Sequence, residues 1–415
     1  MPHAPERHDR SDWRLIVAVF WITSLVEGLG VSQIFALVPS YLREMGVPEA
    51  DRLPFVGLFG ALLFVVGMPL VPLWGVWADK YSRKAVIARS AVVEAVVFAC
   101  VALSREPWQL AGSMLLIGFQ LGNTGVMLAG IRDITPRHRL GTTIALFGAS
   151  SPIGFAIGPA LAGLLIDGAG WSISGVFWVS GALSVGTALL VWFGSREVRP
   201  EVVPTGRVLT LAYGAVRGVL SDPTVRRIFA IFAIAFLANQ MSRPYVPVLV
   251  EQIVGMGPGL TSSIAPGLAS SIALVAGTAA LVGALVSPLG GALGDRIGFG
   301  PVLVGALVIG GVALVLMPLA PSVAALAAVA LVFAACAAAV SAMVFGLLAT
   351  EVPAERRSAT LNLVYLPLYA AGIVGPATGA VVVAAGGLAA PFIAGALVFF
   401  LGAVVLGLSR GRMTA

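Results

Sequence analysis

Residues 75–84 read Gly75-Val-Trp-Ala-Asp79-Lys80-Tyr-Ser82-Arg83-Lys84, a charged turn set between two apolar runs. A weaker copy, Gly291-Ala-Leu-Gly-Asp295-Arg296-Ile-Gly298, follows 216 positions later, and Pro72 returns at the same offset as Pro288. Farther along, Pro136, Arg139, Thr143, Gly158 and Pro159 return as Pro353, Arg356, Thr360, Gly375 and Pro376, each 217 positions on. Chemically unusual residues that hold register over half a chain, with one residue of slip, indicate duplication of a large unit.

That unit is helical and suited to lipid. Of 415 residues, 59% are hydrophobic and 11% are charged, against roughly 25% charged in soluble domains. The 50 Gly and 26 Pro fall inside apolar runs, where neighbouring helices satisfy the backbone groups that Pro leaves free. A span takes about 20 mainly apolar residues. Twelve are predicted, at 14–41, 54–78, 85–104, 108–131, 142–165, 172–194, 226–250, 267–293, 301–320, 323–349, 360–385 and 389–409. The expected organisation is a cytoplasmic N-terminus (1–13), a six-helix bundle (14–194), a cytoplasmic linker (195–225), a second six-helix bundle (226–409) and a tail (410–415). Arg7, Arg10 and Arg14 precede an apolar run too long for a signal peptide, so the first span is expected to be retained.

Orientation follows from Lys and Arg. On one side of the spans lie 21 of the 25, and the other side holds three, Arg43, Arg52 and Arg105. Both termini are therefore expected in the cytoplasm, in a multi-pass protein of a bacterial plasma membrane. The stretch from Arg207 to Leu220 is amphipathic, and reads either as a helix on the inner membrane surface or as a plain tether.

Other classes are excluded by absence of their residues. The basic residues recur between spans and do not cluster with aromatics, so nucleic acid is not an expected partner. Cys100 and Cys336 lie within spans, and His3, His8 and His138 are isolated, so neither a disulfide framework nor a metal site is expected. No G-x-x-x-x-G-K-[ST] occurs and no acids or histidines have catalytic spacing. An enzyme and a cofactor are not expected.

The turn at Gly75, Asp79, Lys80 and Arg83 resembles the signature of the major facilitator superfamily, G-x-x-x-D-[RK]-x-G-[RK]-[RK], with Gly291, Asp295 and Arg296 as the degraded copy. The resemblance covers essentially the whole chain. It implies an all-α membrane protein of twelve transmembrane helices in two pseudo-symmetric six-helix bundles. It further implies a monomer with its substrate site near the bilayer midplane, between the halves. It also implies a cytoplasmic gate in which Asp79 docks on the start of the eleventh helix and Arg83 lies close to Asp133. Such contacts form only when the inner side is closed and so bias one of two states. The alternative is a set of charges that only fix topology. Ser82 departs from the family's Gly, which is expected to tighten the turn less easily.

The fifth span carries Gly154, Gly158, Pro159 and Gly163, similar to the G-x-x-x-G-P motif of the antiporter branch. Small residues at this spacing also allow plain close packing of helices, and both readings stand. Glu27 and Arg243 lie mid-span in the first helix of each half. Charges within spans cost on the order of 2.5–3.5 kcal/mol and mark function by default. A carboxyl facing a central cavity suits a proton carrier; the bland alternative is a fixed Glu27–Arg243 ion pair. Gln120, Asn123, Asn239, Gln240, Tyr365 and Tyr369 are candidate polar cavity residues. Glu94 is expected on a peripheral third helix, paired with Arg89 or supporting packing. Phe229, Phe232 and Phe236 are expected to pack or to face lipid. The intramembrane Arg of many proton-coupled drug antiporters is missing from the fourth span, where Gly118 occupies the nearest position.

The expected function is secondary active transport by alternating access, with proton-coupled efflux of small lipophilic or cationic compounds. The alternatives are proton-coupled movement of a sugar or other metabolite and, more remotely, an intramembrane enzyme or permease subunit. The expected partners are a small-molecule substrate, protons and the lipid bilayer.

Overall fold

The computed structural model describes residues 12–200, 203–255, 267–351, 363 and 365–411, and among them the regular structure is helical. Eleven helical segments among the described residues, some of them two helices in line, are long and apolar enough to cross a membrane. The first half contains α1 (Asp12–Glu44), α2 (Glu49–Val65) and α3 (Gly67–Lys80), of which α2 and α3 together make the second crossing. It continues through α4 (Arg83–Leu103), α5 (Pro107–Ile117), α6 (Asn123–Ile134), α7 (Leu140–Gly163) and α8 (Ile173–Gly194). The linker forms α9 (Val208–Leu220). The second half contains α10 (Pro223–Ser242), α11 (Val246–Val254), α12 (Leu268–Ile297), α13 (Phe299–Leu316), α14 (Val323–Glu351), α15 (Tyr365–Gly386) and α16 (Ala390–Gly411). The all-helical membrane fold expected from the sequence is present.

Three crossings are interrupted, each for a local reason. Pro69 has no N–H and its ring crowds the carbonyl four residues back, at Val65, where α2 ends. Pro244 and Pro247 act likewise on the seventh crossing, leaving a 3₁₀ turn, Arg243–Tyr245, between α10 and α11. The fourth crossing, expected as one helix over 108–131, is instead α5 and α6 with a break at 118–122. There Gly122 takes φ +99°, a conformation that a helix interior does not accept. The first and third breaks meet: a Cβ added to Gly118 would lie 2.6 Å from the Gly67 nitrogen. Gly118, the position nearest the family's missing Arg, is thus occupied by helix packing.

Within the first half α1 packs on α7 and α4 on α8; within the second, α12 packs on α14 and α10 on α15 and α16. The halves join along α7–α12 and α2–α15. Their apolar cores are distributed unequally. One cluster unites Leu37, Phe59, Phe98 and Leu110 of the first half with Tyr245, Leu249, Leu268 and Ile272 of the second. At the opposite, basic end each half has its own cluster. Phe20, Ile87, Met127 and Ile131 belong to the first, and Val225, Phe229, Phe232 and Val344 to the second. The halves therefore share a core at one end and keep separate cores at the other. Phe229 and Phe232 are buried in the latter cluster and Phe236 meets Phe232 edge-on, so this stripe packs inside its half.

Candidate functional site

Between the two apolar clusters of the first half lies a layer of buried polar groups: Glu27, Ser90, Glu94, Gln120, Asn123 and Ser184. Glu27 Oε1 accepts from Ser90 Oγ at 3.0 Å and from Asn123 Nδ2. Ser90 Oγ also lies 2.7 Å from the Gln120 carbonyl. That carbonyl and its neighbour at Leu121 are freed by the break at 118–122, and Arg89 Nη2 donates to both, at 3.2 and 3.3 Å. The Arg89 guanidinium is stacked over Trp74, 3.7 Å from the ring centroid. The break in the fourth crossing is what brings the third helix into the site.

This arrangement serves a carboxyl in either protonation state. Ser90 has one hydroxyl proton and two acceptors in reach. With Glu27 ionised, Ser90 donates to Glu27. With Glu27 protonated, its O–H can donate to Ser90 Oγ, and Ser90 turns to the Gln120 carbonyl. Neither state strands a buried hydroxyl. Burying a polar group without a partner costs about 1–3 kcal/mol, so a group that must gain and lose a proton needs such a switch.

Glu94 departs from its expected place. It is 2% exposed, and its carboxyl comes within 2.8 Å of where a Cβ on Gly30 of α1 would be. Among the described residues neither of its carboxyl oxygens makes a hydrogen bond of good geometry. It does not pair with Arg89. Five positions separate them, roughly 140° round a helix, so they leave α4 in different directions.

Glu27 and Arg243 also stand apart. The Arg243 guanidinium carbon lies 4.4 Å from the Phe35 ring centroid and 4.6 Å from that of Phe155. Phe35 is eight positions beyond Glu27 on α1, about 12 Å along the axis. The fixed ion pair considered from the sequence is not formed. Stacking of this kind is worth about 0.5–2 kcal/mol, less than the cost of an intramembrane Arg given above. Asn239 accepts from Ser242 through its carbonyl, and Gln240 is buried against Gly375. Tyr365 and Tyr369 stack at 6.4 Å, and Tyr369 also meets Phe64 of α2 across the halves at 5.9 Å.

At the basic end, Arg83 is 2% exposed and donates to Asp79 Oδ1 and Asp133 Oδ2, each at 2.8 Å. The contact expected between Arg83 and Asp133 is formed, but both residues belong to the first half, so it is present here without the two halves meeting at this end, contrary to the expectation that it marks the closed inner side. Asp79 is 38% exposed and turned to Arg83, and the start of the eleventh helix, its expected dock, lies outside the described residues. Lys80 Nζ donates to the Gly206 carbonyl of the linker. Ser82 adopts an extended φ of −164° and caps α4 by accepting from the Ala85 N–H, so the turn needs no glycine there. Glu197, unremarked in the sequence, accepts from Ser82 Oγ and from the Arg83 N–H at 2.8 Å. A Cβ on Gly75 or Gly291 would meet nothing within 4 Å, Arg296 is exposed, and the Asp295 side chain lies outside the described residues.

The glycine motif of α7 is a packing surface. A Cβ on Gly154 would strike the Leu25 carbonyl, one on Gly158 the Leu29 carbonyl and Ser32, and one on Gly163 would lie 3.0 Å from Ser270 Cα across the halves. Gln33 Nε2 donates to the Gly158 carbonyl at 3.2 Å, beside buried Pro159.

At the end with the shared core, Glu251 of α11 ties the halves together. Its Oε2 lies 2.9 Å from Arg43 Nη2 and 3.3 Å from Arg52 Nη1, and its Oε1 accepts from Ser40 Oγ at 2.8 Å. Glu251 falls just past the predicted span 226–250 and belongs to no motif, so the sequence does not mark it as a partner of Arg43 and Arg52.

Residues 20–278 and 269–413 match the Major Facilitator Superfamily. The multidrug resistance protein MdtG of Salmonella typhi is 28% identical over 309 residues, which make up 74% of this chain and 73% of that protein. The solved structure of the nucleoside transporter NupG matches with a TM-score of 0.76 at 16% identity, over 96% of this chain and 100% of that one. The human organic anion transporter MFSD10 matches with a TM-score of 0.68 at 19% identity, over 95% and 99%. At these identities the two structures speak for the fold alone.

Proposed function

Because the chain belongs to the major facilitator superfamily of membrane transporters, we propose that it is a proton-coupled exporter of small lipophilic compounds. It works by alternating access as a monomer in a bacterial plasma membrane, with its basic end and both termini in the cytoplasm. The resemblance to a multidrug resistance protein supports the substrate class. The observation that carries the proton coupling is the setting of Glu27, whose partner Ser90 has a second acceptor at Gln120.

In this reading the state described is open to the cytoplasm. The halves share a core at the Glu251 end and have separate cores at the basic end. Substrate enters from the basic end, and Glu27 holds its proton while ligated by Ser90 and Asn123. Opening of the opposite end breaks the contacts of Glu251 with Arg43, Arg52 and Ser40. Closure of the basic end brings the Asp79 turn to the second half. Export then couples to a change of protonation at Glu27, because the two access states present different surroundings to its carboxyl.

The test is transport in sealed proteoliposomes with an imposed pH gradient and a panel of lipophilic dyes. Dye movement that follows the gradient and collapses with an ionophore supports the reading. Movement at the same rate with and without the gradient overturns it.

A further inference from the structure

Arg243 has no carboxylate within ion-pair distance among the described residues. The buried acids on α1 and α11 already have partners. Glu27 lies about two turns away along α1, held by Ser90 and Asn123, and Glu251 is held by Arg43, Arg52 and Ser40. Phe35 and Phe155 lie against the guanidinium, a contact that leaves its N–H donors, which lie in the plane of the group, unused. Arg243 comes from the second half and both rings come from the first, so the group sits where the halves meet. Beside it is an apolar hollow lined by Phe35, Val38, Phe59, Leu63, Met114 and Pro244.

Resting on the transporter reading above, we propose that Arg243 receives the acidic group of the transported compound, so that the substrates are lipophilic organic anions. A planar guanidinium answers a carboxylate, sulfonate or phosphate through paired N–H donors. The two rings give the apolar body of such a compound a wall to lie against. An anion at this place touches both halves at once and is released when they part, as a transported ligand must be.

The experiment is equilibrium dialysis of the detergent-solubilised full-length protein against three probes of one shape: naphthoate, naphthamide and naphthylmethylammonium. The acid is expected to bind about tenfold or more tightly than the amide, the worth of one charged hydrogen-bond pair, with the ammonium weakest. Arg243→Gln is expected to bring acid and amide within about twofold of each other, mainly by weakening the acid. Arg243→Lys, which keeps the charge and loses the fork, falls between and serves if the Gln variant does not fold. Equal or tighter binding of the amide or ammonium by the wild-type protein overturns the proposal, as does an acid preference that survives Arg243→Gln, or no binding of the acid. No gradient is used, so an acid preference supports this assignment even where gradient-driven export fails.

Discussion

Arg43 of the first half donates to Glu251 of the second at 2.9 Å, and this contact seals the end of the molecule at which the two halves share a core. Glu251 is 2% exposed and also holds Arg52 and Ser40. Charged hydrogen bonds are worth about 1.5–3 kcal/mol each, and every 1.4 kcal/mol is tenfold in a population. Glu251→Gln is therefore expected to shift the closed-to-open ratio of this end by about tenfold or more. Spin labels at Val47 and Gly255 report it as a gain of long distances. An unchanged distance distribution means that packing alone holds this end shut.

Arg83 and Asp79 separate folding from gating. Arg83 is buried between two carboxylates, whereas Asp79 is partly exposed. Arg83→Ala takes the buried partner from Asp79 and leaves Asp133 with Arg132, and is expected to cost on the order of 1.5–3 kcal/mol, seen as reduced protein level and a lower melting temperature in detergent. Asp79→Asn is expected to keep both near wild type and to lower transport. Wild-type transport by Asp79→Asn removes this turn from the gate.

Two glycines of similar sequence appearance are expected to respond differently. Gly158→Val forces a side chain into the Leu29 carbonyl and Ser32 of α1, an overpacking worth about 1–3 kcal/mol. Gly75→Ala meets nothing in this state and should leave thermal stability unchanged. Equal melting temperatures for the two variants contradict the packing described for α7.

The sequence displayed the halves because lipid demands long apolar runs and duplication repeats rare residues at fixed offsets. It displayed Arg83 near Asp133 through a motif that carries its own geometry. The site itself was less legible. Arg89 and Glu94 belong to the polar layer because the fourth crossing breaks at 118–122, and nothing in Gly118-Phe-Gln-Leu-Gly122 distinguishes a break from an apolar helix with two glycines. Glu251 was hidden for another reason. Its partners lie 208 and 199 positions earlier in the chain, on α1 and α2, and only the docking of the two halves brings them together. The distance from Glu27 to Arg243 was open for the same cause, since depth along one helix says nothing of the turn at Pro244 that seats Arg243 on Phe35.

Topology has a direct test. Reporter fusions after Arg139 and after Arg227 are expected to register in the cytoplasm, and an insertion at Gly255 outside it, since Lys and Arg gather at the end opposite Glu251. Cytoplasmic signal from the Gly255 insertion reverses the assignment of inner and outer ends.

The most direct test of the account is gradient-driven dye export by Glu27→Gln in proteoliposomes. The amide is nearly isosteric and its oxygen can still accept from Ser90 and Asn123, so the fold is expected to persist, but it cannot carry a proton. The predicted result is normal insertion and measurable dye exchange without a gradient, with gradient-driven export reduced to that of protein-free vesicles. Export at the wild-type rate under the same gradient would contradict the assignment of Glu27 as the proton carrier and transfer it to Glu94, the other buried acid of the layer.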